Sequence, residues 1–492
     1  MNGMGDGLSG SEVAPVEQPE TRATLLGAEM LNWSDLEPAD ARPAVGGPVA
    51  LELLDAVLGE ASTVLVAGPH ALEVIERIAG RAASTDVLVR SFSDGETIAE
   101  RLEGKQARVF AGGLDRFGPE HGRSSYDVVV ALDGVERLVG PDTAGLTWAV
   151  AVQRLRERVA PGGRLLLGTA NSFGLDRLLD VPRPPRADEW GRDVGEQAPA
   201  TLDAVTDVLA GTGLATAATY SVFPDVTEPV LGFGGPASGY DAALVARATA
   251  RRHAAGPKLA DPYRTAYDAV AAGLGSALAP GHWFVLGDGT PLPERLGMTD
   301  ARTGELVEER LVAALRADDH QALRQTVIGY VDWLQAQDHA TAAAATTDNV
   351  LTDGTSYSLL DTGTEAPGGT HGQLAVRHLA RFVNRAMAAG TRLPWTAGGT
   401  PRALTERLAA IARLEIDDSV WETADTAVTP QGHAEQLATI ERLSAELAEA
   451  RKQVDWFEGQ LDKLRKSRSY RVGRTIVNPL RTTYSKLRTR LR

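Results

Sequence analysis

The sequence predicts an α/β protein, and three observations carry that expectation. Between Pro48 and Ala248, short β-rich runs alternate with helix-length segments, the pattern of parallel βαβ units in a sheet covered on both faces. From Arg251 the pattern turns mostly helical around one β-like pair. Near the C-terminus, apolar residues step by three and four, as in a coiled-coil seam. The 492 residues exceed one ordinary core, and 43% hydrophobic with 23% charged residues are globular values, so two or three domains are expected.

Taken in order, residues 1–40 begin rich in Gly, Ser, Glu and Pro without periodicity and are expected to be disordered. Ala50, Leu51, Leu53, Leu54, Val57 and Leu58 have helical spacing. Strands are expected at 63–66, 86–90, 108–110, 127–131 and 163–167, and a last pair at 215–223 and 240–248. The first strand runs into a turn and an amphipathic helix, Val64-Leu65-Val66-Ala67-Gly68-Pro69-His70-Ala71-Leu72, the usual entrance to a nucleotide-type cofactor site. These elements form a first domain over 41–250. A second covers 251–425, with helices at 263–278, 305–317, 320–337 and 373–389 and a hairpin turning at Asp353-Gly354.

Ile440, Leu443, Leu447, Ala450, Val454, Phe457, Leu461 and Leu464 place a coiled coil over 434–468, which predicts a homo-oligomer. Residues 469–492 form a basic amphipathic tail, with Leu480, Tyr484, Leu487 and Leu491 on one helical face. The net charge is −15, yet Lys463 to Arg492 hold eleven Lys/Arg and no acid, leaving −26 for the rest. An acidic body disfavours nucleic acid, and a basic end suits an anionic membrane surface. No signal peptide or spanning segment is read, so a cytoplasmic protein, peripheral at the inner face of the membrane, is expected. The absence of cysteine excludes disulfides and thiol chemistry, and the scattered histidines form no metal constellation.

The series "VLVAGPHA", "RVFAGGLD", "YDVVVALDGVERL" and "APGGRLLLGTAN" resembles the class I S-adenosylmethionine-dependent methyltransferases over residues 48–250. The resemblance implies a Rossmann-like seven-stranded domain and S-adenosylmethionine as cofactor, near Gly68, His70, Ser91, Asp115 and Asp133. The match is partial. Gly68 fits the first turn glycine, while His70 and Leu72 stand where the next two belong, and Arg90-Ser91 occupy the region of the ribose-binding acid. Asp115 is the expected partner of the adenine amine. For a hydroxyl acceptor, Asp133 and His70 are the candidate general bases.

"NSFGLDRLLD", "GLATAATYSVFPDVTEPVLGF" and the coiled coil with its basic tail resemble methyltransferase proteins of bacterial surface-polysaccharide (O-antigen type) biosynthesis, some of them fused to a protein-kinase-like domain. That resemblance implies an acceptor pocket at Asn171, Phe173, Phe223 and Asp225, with Pro224 between the last two, and a glycan or lipid-linked sugar acceptor. In "HATAAAATTDNVLTDGTSYSLLDTG", Asn349 and Asp361 have kinase-like spacing, but Ala344 stands at the catalytic aspartate's place, so a kinase remnant without activity is expected. Two functions remain open: methyl transfer to a glycan-type acceptor, or a catalytically inactive scaffold that recruits glycosyltransferases to the inner membrane face.

Overall fold

A computed structural model of the chain describes residues 22–37, 42–180, 199–253, 258–297, 304–361, 368–388 and 400–416 apart from 141, 144, 145, 238 and 290, together with Trp421 and a set of positions between Leu443 and Gly459. The loop expected at 181–199, nearly all of it, and the basic tail lie outside the described residues. The chain forms two compact units, Met1–Pro430 and Gln431–Arg492.

The first unit is built on a mixed α/β sheet, largely parallel. Its strands are β1 (Thr24–Gly27), β2 (Thr63–Ala67), β3 (Ser84–Val89), β4 (Ala107–Gly112), β5 (Tyr126–Ala131), β6 (Val159–Ala170), β7 (Thr216–Phe223), β8 (Leu231–Phe233), β9 (Gly281–Leu286) and β10 (Arg295–Leu296). Their order is β1-β4-β3-β2-β5-β6-β9-β7-β8-β10. Strands β1 to β6 pair in parallel, and β9 lies antiparallel between β6 and β7. The helices α1 (Pro48–Val57), α2 (Leu72–Arg81), α3 (Phe92–Arg101), α4 (Trp148–Glu157), α5 (Leu175–Leu179), α6 (Leu202–Ala210), α7 (Gly239–Arg252) and α8 (Pro262–Ala271) fall between these strands in the sequence. Alternate residues of β2 enter opposite cores: Val64 and Val66 join the α1–α3 side, and Leu65 and Ala67 the side of α4 and α6. Both faces are therefore covered, as the near-continuous apolar strands require.

Two expectations need correction. Residues 22–37, within the segment expected to be disordered, are placed: β1 pairs with β4, because backbone pairing at a sheet edge needs no apolar periodicity. Residues 240–248 are not a strand but part of α7, whose alanines favour a helix and whose buried positions form a broad face. The strand of the final pair is β9, whose six residues are all buried, so the sheet continues past residue 250.

The rest of the first unit is mostly helical: β11 (Glu305–Leu306), α9 (Val307–Arg316), α10 (His320–Gln335), α11 (His339–Ala344), β12 (Val350–Thr352), β13 (Tyr357–Leu359), α12 (His371–Ala388) and α13 (Pro401–Ile411). The β12–β13 hairpin turns at Asp353-Gly354 as its sequence predicts, with Gly354 at φ +99°. A buried ionic cluster joins this part to α8. Arg264 forks onto Glu309 at 2.5 and 3.0 Å, and Arg385 reaches Glu308 at 3.2 Å and Asp348 at 2.5 Å.

Candidate functional site

The strand order reverses between β2 and β5, and doubly wound sheets take ligands in the crevice outside the carboxyl ends at such a point. Here the turn after β2 depends on Gly68, at φ +91°, whose N–H donates to Leu88 O at 2.9 Å. His70 follows, fully buried. Its Nδ1 lies 3.0 Å from Gly68 O, and its Nε2 accepts from the Leu132 N–H at 3.2 Å. These partners fix the tautomer, with the proton on Nδ1, and occupy both ring nitrogens. Burial lowers the His70 pKa, against the hydrogen bond to Gly68, so the ring is neutral. It bridges the turns after β2 and β5.

Asp133 lies past β5 with its carboxylate wholly buried. Arg137 forks onto it, Nε to Oδ2 at 2.7 Å and a terminal nitrogen to Oδ1, and Arg42 adds a contact to Oδ1 at 3.3 Å. The same Arg137 donates to Arg42 O and Pro43 O at 3.1 and 3.0 Å. At the end of β3, Arg90 forks onto Asp35 with two contacts of 2.7 Å, donates to Val139 O at 3.2 Å and lies 5.6 Å from the Trp33 ring. Burial works to raise the Asp35 carboxyl, but Arg90, Trp33 and Arg137 together hold it below its ordinary value. Ser91 donates to Trp33 O at 2.5 Å and caps α3 by accepting from the Asp94 N–H at 3.2 Å. Asp94 in turn accepts from Ser34 Oγ at 2.6 Å and Asp35 N at 2.7 Å. Asp115 accepts from Thr143 Oγ1 at 3.2 Å and pairs with Arg116 at 3.3 Å.

The crevice is thus built over by the chain's own N-terminal segment. From β1, residues 28–36 run along the ends of β3 and β4, with Met30 bridged to Ser91, and residues 42–47 cross to the turn after β2, with Val45 bridged to His70. S-adenosylmethionine does not fit the residues as they stand. Where the resemblance expects a ribose-binding carboxylate the structure has Arg90, forked onto Asp35; Ser91 is engaged by the cap and by Trp33 O, and the buried His70 ring lies in the turn. Of the two candidate bases, His70 has both ring nitrogens paired and Asp133 is held in ion pairs with Arg137 and Arg42.

On the acceptor side the predicted residues separate. Asn171 is spent on the backbone, donating to Ala277 O and Ala279 O at 2.8 and 2.9 Å and accepting from Phe173 N at 2.9 Å. Phe173 is 55% exposed. Phe223 is buried and edges a cavity of about 450 Å³. Asp225 lines a larger one, of about 780 Å³, bounded by the starts of α1 and α2, the loop after β7, and α7. Its lining mixes Arg247, Arg251 and Arg252 with Glu73, Asp225, Glu228 and Asp361, and with apolar Pro48, Pro224 and Leu244. Arg252 binds Asp225 at 2.5 Å, and Arg247 binds Asp348 O and Asn349 Oδ1 at 2.7 and 3.0 Å. The Asn349 amide donates to Ala344 O and Asp361 O at 2.8 and 2.7 Å, so all its polar atoms serve the fold.

Sequence reading missed Trp33, Asp35, Arg42 and Arg137. Arg137 had a signal, its place four residues after Asp133. The others lie far off in the chain, and no local spacing marks them.

No family model matches the chain, and no curated protein matches it. It is similar to several solved structures. The N-methyltransferase NodS from Bradyrhizobium japonicum is 17% identical over 36% of this chain and 85% of that one, with a TM-score of 0.25. The cyclopropane synthase MmaA2 from Mycobacterium tuberculosis is 17% identical over 49% and 82%, with a TM-score of 0.27. A TehB-like SAM-dependent methyltransferase from Corynebacterium glutamicum is 11% identical over 37% and 79%, with a TM-score of 0.25.

Proposed function

We propose that this is a methyltransferase-like protein of surface-glycan assembly that works without turning over S-adenosylmethionine. It binds glycan at the 780 Å³ cavity and gathers glycosyltransferases through its C-terminal coil and basic tail at the inner membrane face. The observation that carries this reading is the closed crevice, where Asp35, Arg90, Arg137 and Asp133 pair among themselves in the cofactor's place. The glycan is supported by the cavity lining. Carboxylates accept from sugar hydroxyls, arginines donate to them, and apolar lining residues suit the C–H face of a pyranose; the volume is that of a small-ligand site. For the membrane side, no helix among the described residues is long and apolar enough to cross a bilayer, and the tail remains an expectation from sequence.

A second reading is methyl transfer to the same acceptor. It is favoured by the intact reversal of strand order with Gly68 at its turn, on the edge that also opens the cavity. Calorimetry of the full chain against S-adenosylmethionine separates the two. At roughly millimolar cofactor, where even a dissociation constant equivalent to about 4 kcal/mol is detected, the first reading expects no heat. Saturable heat would sink it in favour of the second.

A further inference from the structure

The segment over the crevice is unlike the rest of the fold in what holds it. Of residues 22–37 only Ala23 and Asp35 are buried, while Leu25 and Leu31 are 42% and 61% exposed. Residues 22–27 are held by the β1–β4 pairing and by Ala23 in the core, but beyond them, apart from Leu36 against the core, the attachment is polar: the Asp35–Arg90 fork, the hydrogen bonds of Ser34 and Asp35 to Asp94, and the Met30 N–H to Arg90 O at 2.8 Å. A segment with little apolar burial belongs to the low-stability end of a fold and opens before the core does. Beneath it, Arg90 and Arg137 are built in, their side chains only 5% and 9% exposed. Arg137 keeps Asp133 whatever the segment does, whereas Arg90 has Asp35 as its carboxylate and otherwise only a backbone oxygen.

We propose that residues 28–37 are a displaceable internal ligand of this crevice, latched by Asp35, and that the seat they leave at Arg90 takes an anionic group, a phosphate or carboxylate. The inference rests on the same closed crevice as the reading above but goes further. A planar guanidinium fork matches the two oxygens of such an anion, and a buried cation stripped of its partner demands one. A neutral diol meets that demand less well, which is why the opened seat differs in kind from a ribose site.

The test is made on the full chain with Asp35→Asn, which keeps the shape and removes the charge. Hydrogen exchange over 28–37 is expected to accelerate on the order of ten- to a hundredfold, with Tyr126–Ala131 and Gly281–Leu286 unchanged. Inorganic phosphate is then expected to slow exchange over 84–101 in D35N and not in the double variant D35N/R90Q. Unchanged exchange over 28–37 would overturn the latch, and phosphate protection that persists without Arg90 would overturn the seat. If D35N does not fold, the wild-type chain decides. Exchange of the Met30, Asp35 and Leu36 amides ahead of β5 supports displacement, and exchange in step with β5 makes the segment a fixed part of the fold. The two proposals fail separately: cofactor binding to the wild type with faster exchange over 28–37 in D35N removes only the cofactor-free reading, and binding with unchanged exchange in D35N removes both.

Discussion

His70 ties the two turns of the crevice through both ring nitrogens, at 3.0 and 3.2 Å, and its worth is structural. His70→Ala leaves Gly68 O and the Leu132 N–H unpaired around a buried void, and is expected to cost about 2–5 kcal/mol of stability. The pH dependence has a fixed sign. Because burial lowers the imidazole pKa, its contribution is full above the ordinary value of 6.5 and is lost as the pH falls toward the folded value. Urea midpoints at pH 8 and pH 5 check both: the wild type should lose more than H70A between them, and equal losses would contradict the buried neutral ring. At this scale the sequence was legible where a residue's role is local. Gly68 is required by its own backbone angle. It was not legible where partners come from afar, because Asp35 and Arg90 stand 55 positions apart and two opposite charges in a sequence do not announce a pair.

Elements were legible in proportion to how strongly burial imposes a period. The strands β2 to β6 are apolar runs bounded by turns, and they appear within a few residues of their expected places. The exchange of α7 for β9 arose because the small apolar residues of 240–248 satisfy either period, while β9, short and buried on both faces, shows none. The packing of α8, α9 and α12 was invisible for another reason: its glue is charge. Burial pushes the Glu308 carboxyl up to about 7, against the favourable Arg385 charge. A raised carboxyl adds stability below its unfolded value of 4.5 that is lost as the pH rises through about 7. The loss is on the order of 2–4 kcal/mol. Glu308→Gln keeps a partner for Thr347, which lies 3.1 Å from Glu308, and removes the titration. Its urea midpoint should fall less than that of the wild type between pH 5 and pH 8; an identical fall would assign the pH dependence elsewhere.

At the scale of the whole molecule, the second unit poses a problem of exposed surface. Among its described residues, Leu443, Leu447, Ala450, Val454 and Phe457 are helical and follow the three-four stepping of the seam, and the four large ones are 52–59% exposed. Trp456 is 59% exposed beside Phe457, the two rings edge to face at 4.9 Å. Each such side chain gains roughly 1.5–3 kcal/mol when buried, so a stripe of four offers a driving force that a lone helix forgoes. The seam step is also regular enough for knobs to meet holes, which scattered surface leucines do not provide. Self-association of the full chain through this helix is therefore expected, and with it several copies of the 780 Å³ cavity on one assembly. Sedimentation equilibrium at micromolar chain should return a multiple of the 52.1 kDa chain mass. Leu447→Glu with Val454→Glu places like charges at two seam positions one heptad apart, and should return the single mass with the far-UV spectrum of the first unit intact. A wild type that sediments as one chain would remove the coil as an assembly device, and with it the means of gathering partners on which the proposed scaffold function depends.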